Sequence, residues 1–257
     1  MPTHGAGRHE LGQNFLTDRH TITRVVDLVS RTGGPIVEIG PGSGALTLPL
    51  AELGRAVTAV EIDGRLVGLL RRRAPEHIRI VHGDFLKHRL PRTPHVVVGN
   101  LPFDRTTAVL RRLLYTGHWS DAVLLTQWEV ARRRAGVGGA TMMTAQWWPW
   151  YRFGLEGRVP ASAFEPSPGV DGGLLTIARR ERPLVDPGAR RSYANLIHAV
   201  YTGKGRGIEQ ILTRMLHGRS HTVRRWLTEQ RVRPTALPRD LTASQWAALY
   251  EALGEGR

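Results

Sequence analysis

Four consecutive residues near the middle of the chain, Asn100-Leu101-Pro102-Phe103, combine hydrogen-bond acceptors, a rigid backbone and an aromatic ring. The Asn100 side-chain oxygen and the Leu101 carbonyl can both accept from one exocyclic amine, such as that of adenine. That amine is a poor nucleophile because its lone pair is delocalised into the ring, and two acceptors favour a pyramidal nitrogen whose lone pair is free. Pro102 restricts the backbone, and Phe103 offers a flat face for an unstacked base. A plain surface turn is the alternative interpretation.

Three earlier segments carry residues suited to an adenosine-containing ligand. The loop Glu38-Ile39-Gly40-Pro41-Gly42-Ser43-Gly44 is rich in glycine, which permits a tight turn and close approach of a ligand to the backbone. Its spacing misses the Gly-x-Gly-x-x-Gly dinucleotide fingerprint by one position. Glu61 stands where an acid can hold ribose hydroxyls, and Asp84 can accept from an adenine amine. Each signal is weak alone, since turns and solvated acids are common, but together they favour a pocket.

Short runs rich in β-branched residues precede all four of these segments. We predict strands over residues 36–39, 56–60, 78–81, 95–98 and 122–125, with helices over residues 45–53 and 66–73 and another from Thr106 onwards. Strands that alternate with helices at this spacing predict a parallel sheet covered on both sides. The carboxyl ends of parallel strands share one edge of the sheet, so the marked residues are expected to meet there.

The pattern changes near residue 180, where prolines mark a linker, and beyond it only helical periodicity remains. Thr242 and Gln245 have the spacing of a capping box at the start of the last helix. We therefore predict two domains, over residues 1–180 and residues 181–257. The second holds thirteen basic and seven acidic residues, which makes it the more basic part per residue.

The composition predicts a polyanionic partner. The chain carries 36 basic and 22 acidic residues, a formal net charge of +14, and all but two of the basic residues are arginine. Self-repulsion of this size destabilises a protein unless an anion is its usual partner, and nucleic acid is the natural candidate. The absence of cysteine excludes disulfides and thiolate metal sites. Since no long apolar segment or secretory signal is found, we expect a cytoplasmic protein without a membrane or metal partner.

Two arginine triplets are candidates for contact with nucleic acid. Arg132, Arg133 and Arg134 follow the predicted fifth strand, and we expect them to contact RNA phosphates beside the pocket. Arg71-Arg72-Arg73 ends a predicted helix far from that edge. We interpret this second triplet as a solvated helix face.

Taken in their order along the chain, these motifs resemble those of the ribosomal RNA adenine-N6 methyltransferases. The resemblance covers about residues 8–180 and rests on Gln13-Asn14-Phe15-Leu16, the glycine-rich loop, Glu61-Ile62-Asp63, Gly83-Asp84-Phe85, the Asn100 tetrapeptide and Phe164-x-Pro166-x-Pro168-x-Val170. Residues 8–16 and Val170-Asp171-Gly172-Gly173 look most like the Erm branch of this family. The resemblance implies an α/β fold: a Rossmann-like class I methyltransferase domain with a seven-stranded, mainly parallel sheet, and a small all-helical C-terminal domain.

The resemblance also implies S-adenosyl-L-methionine as the methyl donor. Carried over by position, the residues that would bind it are Gln13, Asn14, Leu16, Gly40, Glu61, Ile62, Asp84 and Asn100. The catalytic motif would consist of Asn100, Leu101, Pro102 and Phe103. Where many relatives have tyrosine after the proline, this chain has phenylalanine, so stacking is kept and a hydroxyl contact is lost.

Erm-type enzymes methylate adenine N6 in 23S rRNA and confer resistance to macrolide, lincosamide and streptogramin B antibiotics, and the resemblance implies this function. The housekeeping dimethyladenosine transferase of small-subunit rRNA shares the core motifs and is the alternative. A nicotinamide-dependent oxidoreductase is opposed by the glycine spacing and the net charge, and an inactive nucleic-acid-binding protein by the intact Asn100 tetrapeptide. We expect 23S rRNA as partner and, for want of an interface signal, a monomer.

Overall fold

The computed structural model describes residues 14–254, so the predicted cofactor-binding residue Gln13 lies outside the described residues. The chain divides into two compact units. The described part of the first unit runs over residues 14–131 and 154–178, and that of the second over residues 132–153 and 179–254.

Strands and helices alternate through the first half of the chain, and helices alone follow residue 190. The strands in the described part are β1 (Phe15–Leu16), β2 (Ile36–Ile39), β3 (Val57–Glu61), β4 (Arg79–His82), β5 (His95–Asn100), β6 (Trp119–Gln127), β7 (Tyr151–Val159), β8 (Phe164–Glu165) and β9 (Gly172–Arg179). The α-helices are α1 (Arg19–Ser30), α2 (Thr47–Ala51), α3 (Gly64–Arg73), α4 (Thr106–Tyr115), α5 (Trp128–Arg134), α6 (Met142–Trp147), α7 (Arg190–Thr202), α8 (Ile208–Met215), α9 (Ser220–Glu229) and α10 (Ala243–Gly254). Within residues 14–254, every helix is too short or too polar to cross a lipid bilayer.

Seven strands form one mixed sheet in the order β4-β3-β2-β5-β6-β9-β7. The pairs β4–β3, β3–β2, β2–β5 and β5–β6 are parallel, and β9 runs antiparallel to β6. The strand order reverses between β2 and β5, because β3 and β4 lie on one side of β2 while β5 and β6 lie on the other. In an open sheet of this kind, the carboxyl ends at such a reversal leave a crevice between the loops that follow them.

The five predicted parallel strands are confirmed, with ends that differ from the prediction by at most three residues. Every residue of β2 is buried, and β5 is buried until its last residue, as expected for central strands covered by helices. Against them pack apolar residues of α1 and α2, among them Val25, Val29 and Leu50. The predicted capping box is also confirmed, because the Thr242 amide donates to Gln245 Oε1 and the Gln245 amide donates to Thr242 Oγ1.

The second unit differs from the predicted domain. The last segment of the second unit begins at residue 179, close to the expected boundary at residue 180, but residues 132–153 also belong to this unit. The physical reason is an aromatic cluster: the Arg190 guanidinium lies 4.7 Å from the Trp147 ring centre and 5.3 Å from that of Trp150. The Trp150 ring also meets Tyr193 edge to face at 5.5 Å. Burying these large rings ties α6 to α7 across more than forty residues of sequence.

The turn after β2 depends on glycines with left-handed backbone angles. Gly40 has φ of +60° and Gly44 has φ of +93°. A Cβ atom on Gly44 would lie 2.7 Å from Cδ1 of Leu70, a side chain of the core, whereas a Cβ atom on Gly40 would meet nothing within 4 Å in the described part of the chain. A side chain at either glycine would therefore strain the backbone, but only a side chain at Gly44 would also clash with the core.

We expect Gly44→Ala to lower the free energy of unfolding by about 1 to 3 kcal/mol more than Gly40→Ala, because only the first also overpacks the core. Urea denaturation of the two purified variants and the unchanged protein measures this difference. Equal losses in the two variants would contradict the contact between Gly44 and Leu70.

Candidate functional site

One cleft opens at the carboxyl edge of the sheet, where the strand order reverses. It encloses about 1160 Å³ of empty space, including the open solvent at its mouth. All its lining residues belong to the first unit. Those that the sequence had marked are Asn14, Leu16, Gly40, Glu61, Ile62, Asp84, Asn100, Leu101, Pro102 and Phe103.

Glu61 joins the second strand end to the glycine-rich turn. Its side chain is almost fully buried, with 1 % exposed. One carboxylate oxygen accepts from the Gly42 amide at 3.0 Å, and the other accepts from the Asp63 amide at 2.9 Å. A buried carboxylate needs such donors to be tolerated. Each oxygen keeps a further lone pair, so the predicted contact with ribose hydroxyls is compatible with this second role in shaping the turn.

The Asn100 amide is oriented by a residue far away in the sequence. Its Nδ2 atom donates to the Asn14 carbonyl at 2.8 Å. A carbonyl can only accept, so the nitrogen of the amide must face Asn14 and Oδ1 must occupy the other branch. The side-chain oxygen that could accept from an amine in the cleft is thereby fixed in direction.

The residues after Asn100 are held by backbone and side-chain hydrogen bonds. The Leu101 amide donates to the Leu125 carbonyl at 2.9 Å, which continues the pairing of β5 with β6. The Pro102 carbonyl accepts from the Thr106 hydroxyl at 3.3 Å. That hydroxyl also lies 2.8 Å from the Thr126 hydroxyl, and both threonines are buried. The tetrapeptide is therefore anchored on β6 and on the first turn of α4.

Antiparallel pairing of β1 with β8 brings the segment before α1 to the cleft. Phe15 pairs with Glu165 and Leu16 with Phe164. The Thr17 amide extends this pairing by donating to the Ala163 carbonyl at 2.9 Å. Leu16 is buried in the core, so the pairing is supported by apolar packing as well as by hydrogen bonds.

Asp84 begins a compact turn after β4. Its Oδ1 atom accepts from the Leu86 amide at 2.8 Å, and its carbonyl accepts from the amides of Lys87 and His88. One oxygen of the carboxylate is thus used inside the turn, which leaves the other for a ligand. Ile62 lines the cleft as well, with half of its surface exposed.

Glu38 is a lining residue that was not among the predicted site residues. Its side chain is 1 % exposed, and its Oε2 atom has no hydrogen-bond partner in the described part of the chain. Burial, together with the nearby charge of Glu61, raises the pKa of Glu38 to about 7. The signal was available, because an acid inside an otherwise apolar buried strand is rare unless it has a function.

The two arginine triplets make hydrogen bonds that the sequence did not indicate. Arg133 is exposed, but Arg132 donates to the Val137 carbonyl and Arg134 donates to the Thr141 hydroxyl, and none of the three lines the cleft. Arg71-Arg72-Arg73 is exposed, as a solvated helix face should be, but its last member lies closer to the cleft than expected. Arg73 donates to the carbonyl of Ser43, a lining residue, at 3.1 Å.

The cleft is acidic inside a basic protein. Glu38, Glu61 and Asp84 line it, and Arg105 is the one cationic side chain among the lining residues that the structure describes. Among residues 14–254, no group of three or more histidine, aspartate or glutamate side chains is arranged to hold a metal ion. The cleft is therefore suited to an organic ligand with positive charge and hydroxyl groups.

The raised pKa of Glu38 predicts a pH-dependent stability. Between pH 4.5 and 7 the folded protein retains a proton that the unfolded chain releases, so this group destabilises the fold progressively as the pH rises through that window. We expect the free energy of unfolding of the unchanged protein, relative to Glu38→Gln, to fall by about 2 to 3 kcal/mol between pH 5 and pH 8.

Urea denaturation at both pH values, without added ligand, measures this change. Glu52→Gln is the matched control, since Glu52 is exposed just after α2. A difference between the protein and Glu38→Gln that does not vary with pH would contradict the raised pKa.

Comparisons with known proteins show the family to which the chain belongs. The family model described as ribosomal RNA adenine dimethylase matches residues 5–255. An rRNA adenine N-6-methyltransferase of Corynebacterium diphtheriae is 56 % identical over 215 residues, which are 83 % of this chain and 85 % of that protein. The mycinamicin-resistance protein MyrB of Micromonospora griseorubida is 51 % identical over 97 % of this chain and 80 % of its own length.

A solved structure resembles the fold over nearly its whole length. The crystal structure of the 23S rRNA methyltransferase ErmE matches with a TM-score of 0.86 and 33 % identity, covering 94 % of this chain and all of that one. Since the family model and these relatives each span most of the sequence, the chain belongs to the ribosomal RNA adenine dimethylase family and is an rRNA adenine N6-methyltransferase.

Proposed function

We propose that this protein transfers a methyl group from S-adenosyl-L-methionine to N6 of an adenine in 23S rRNA, and that the modification confers resistance to macrolide, lincosamide and streptogramin B antibiotics. The observation that carries the proposal is the fixed orientation of the Asn100 amide in a cleft shared with three acids. The resistance named for MyrB and the 23S rRNA named for ErmE support the choice of target.

The residues present fit S-adenosyl-L-methionine. Among residues 14–254, the buried Oε2 of Glu38 has no hydrogen-bond partner and a Cβ atom on Gly40 would meet no other atom within 4 Å, which leaves polar and steric room at the end of β2. Asn14, Leu16, Gly40 and Asn100 would border the methionine part, as would Gln13. Near the adenosine part, Glu61 would hold the ribose hydroxyls, Ile62 would cover the ring and Asp84 would accept from its amine. When bound, the donor supplies a methyl group on a positively charged sulfur.

The protein contributes positioning and the exclusion of water. Asn100 Oδ1 and the Leu101 carbonyl would accept from the target amine and hold its lone pair toward the methyl group, while Phe103 would stack on the flipped base. The nitrogen gains the methyl group as the bond from carbon to sulfur breaks, and the amine proton leaves to water. No dedicated base is needed, since the nitrogen becomes strongly acidic once it is alkylated.

Contact with RNA would use the excess of arginine. Arg132, Arg133 and Arg134 are retained as the proposed phosphate-binding residues, with Arg133 the member whose side chain is exposed. The helical part of the chain, over residues 181–257, is proposed to assist RNA binding because it carries thirteen basic residues. The proposed substrate implies a cytoplasmic protein, and we propose that it acts as a monomer.

The proposal is tested by incubating purified protein with protein-free 23S and 16S rRNA and radiolabelled S-adenosyl-L-methionine. We expect label in 23S rRNA, recovered as a methylated adenosine after nuclease digestion, and a block in primer extension at one position. Expression in a sensitive host should raise the concentration of macrolide needed to inhibit growth. Label in 16S rRNA alone would favour the small-subunit alternative, and no label in either RNA would overturn the proposed reaction.

We expect Asn100→Ala to lower kcat by about a hundredfold or more, because an oriented polar group is lost where the transition state forms. The dissociation constant of S-adenosyl-L-methionine should change far less. Single-turnover methylation and calorimetric titration measure the two quantities, with the exposed Asn195→Ala as the control. Turnover close to that of the unchanged protein would remove the central role assigned to Asn100.

Arg133→Ala should weaken RNA binding several-fold and reduce the slope of log affinity against log salt concentration by about one. The matched control is Arg92→Ala, an exposed arginine before β5 and so at the opposite edge of the sheet from the cleft. Filter-binding titrations at four salt concentrations give both slopes. An unchanged slope in the Arg133 variant would exclude phosphate contact by this side chain.

A further inference from the structure

We propose that Arg112 is a positioning residue for the adenine end of the methyl donor, acting through the turn that carries Asp84. The inference rests on the proposed use of S-adenosyl-L-methionine. Arg112 does not line the cleft, and no motif in the sequence distinguishes it from other helix arginines. It lies on α4, the helix that follows the Asn100 tetrapeptide.

The Arg112 guanidinium is bound to the backbone of the Asp84 turn at two points. Its two terminal nitrogens donate to the carbonyls of Leu86 and His88. The same guanidinium lies 5.7 Å from the centre of the Phe85 ring, within the range of a cation–π contact. One side chain of α4 thus contacts three of the four residues that follow Asp84.

Leu86 links this contact to the carboxylate. Its carbonyl accepts from Arg112, and its amide donates to Asp84 Oδ1 at 2.8 Å. These two groups belong to successive peptide planes that meet at the Leu86 Cα atom, and the Asp84 carbonyl closes the turn by accepting from the amides of Lys87 and His88. By holding the carbonyls of Leu86 and His88, Arg112 restrains the turn that presents the Leu86 amide to Asp84 Oδ1. The orientation of Asp84 toward an exocyclic amine therefore depends on this restraint.

The geometry requires arginine rather than any cation. The guanidinium is a rigid fork whose donors reach two carbonyls at once, whereas the single nitrogen of lysine cannot reproduce that spacing. Nε of Arg112 is buried and has no hydrogen-bond partner among residues 14–254, so the contacts with the turn are made by the two terminal nitrogens.

Arg112 also connects the two halves of the site. Thr106, the first residue of α4, donates to the Pro102 carbonyl within the Asn100 tetrapeptide. Arg112, near the other end of the same helix, donates to the turn that carries Asp84. Loss of Arg112 would remove the contact with the Asp84 turn but leave the hydrogen bond from Thr106 to Pro102 in place. This arrangement predicts that loss of Arg112 impairs recognition of the donor while the chemistry on bound substrates is retained.

The test is a binding cycle with S-adenosylhomocysteine as probe, measured by calorimetry without turnover. We expect Arg112→Met to weaken binding by about tenfold, and to weaken it by less than twofold when Asp84→Ala is already present, because coupled residues are not additive. Arg111→Met is the matched control, an exposed neighbour on α4, and should bind as the unchanged protein does. Arg112→Lys should restore little of the loss.

A second probe keeps the test decisive if the double variant is unstable. The S-adenosylhomocysteine analogue with hydrogen in place of the exocyclic amine should bind the unchanged protein about tenfold more weakly than S-adenosylhomocysteine, since Asp84 loses its donor. In Arg112→Met this discrimination should shrink to about threefold or less. At saturating donor, kcat of Arg112→Met should stay within about twofold of the unchanged value.

Losses that add in the double variant, or discrimination that is unchanged in Arg112→Met, would overturn the inference while the proposed function stands. If the unchanged protein bound neither S-adenosyl-L-methionine nor S-adenosylhomocysteine, the proposed function would fail, and this inference with it.

Discussion

The hydrogen bonds from the Gly42 and Asp63 amides to the Glu61 carboxylate are the interaction on which the rest of the site depends. They join the turn after β2 to the end of β3 and satisfy a charge that has almost no contact with solvent. They add to the backbone hydrogen bond from the Gly40 amide to the Val60 carbonyl, and they extend the connection from the start of the turn to Gly42. The cleft exists because two adjacent parallel strands end at the same level and their loops are held together there.

A second constraint is the difference in charge between the cleft and the protein as a whole. The protein carries a formal charge of +14, yet the described lining of the cleft holds three acids and one arginine. An acidic interior disfavours entry of phosphates and favours a cationic ligand, while the basic exterior attracts a polyanion. The separation fits the proposed reaction, in which a sulfonium donor would occupy the cleft and an RNA would bind to the basic protein. The pKa of Glu38 is raised in this acidic interior because burial and the neighbouring Glu61 carboxylate both disfavour its charged form.

Helix α4 is the third structural element that the site requires. It begins three residues after Phe103 and reaches the turn after β4, so it contacts both the Asn100 tetrapeptide and the turn that carries Asp84. Its hydrogen bonds to both are donated to backbone carbonyls. Side chains in these turns can therefore change without loss of the link, whereas Thr106 and Arg112 cannot be exchanged freely. The buried pair of Thr106 and Thr126 adds a connection to β6.

Local pattern determined the five parallel strands, the capping box of α10 and the strand-end positions Gly40, Glu61, Asp84 and Asn100, because buried runs, glycine turns and polar strand ends are encoded within a few residues. The lining residues Asn14, Leu16 and Ile62 followed only from the family resemblance. The tertiary structure decided the rest. Pairing of Phe15 and Leu16 with Phe164 and Glu165 joins segments about 150 residues apart, and no local signal specifies such a contact. Residues 132–153 belong to the second unit because Trp147 and Trp150 bury their rings against Arg190 and Tyr193, a choice that depends on packing. For the same reason, Arg73 and Arg112 read as ordinary helix arginines in sequence, and only the folded chain places their guanidinium groups on carbonyls beside the cleft.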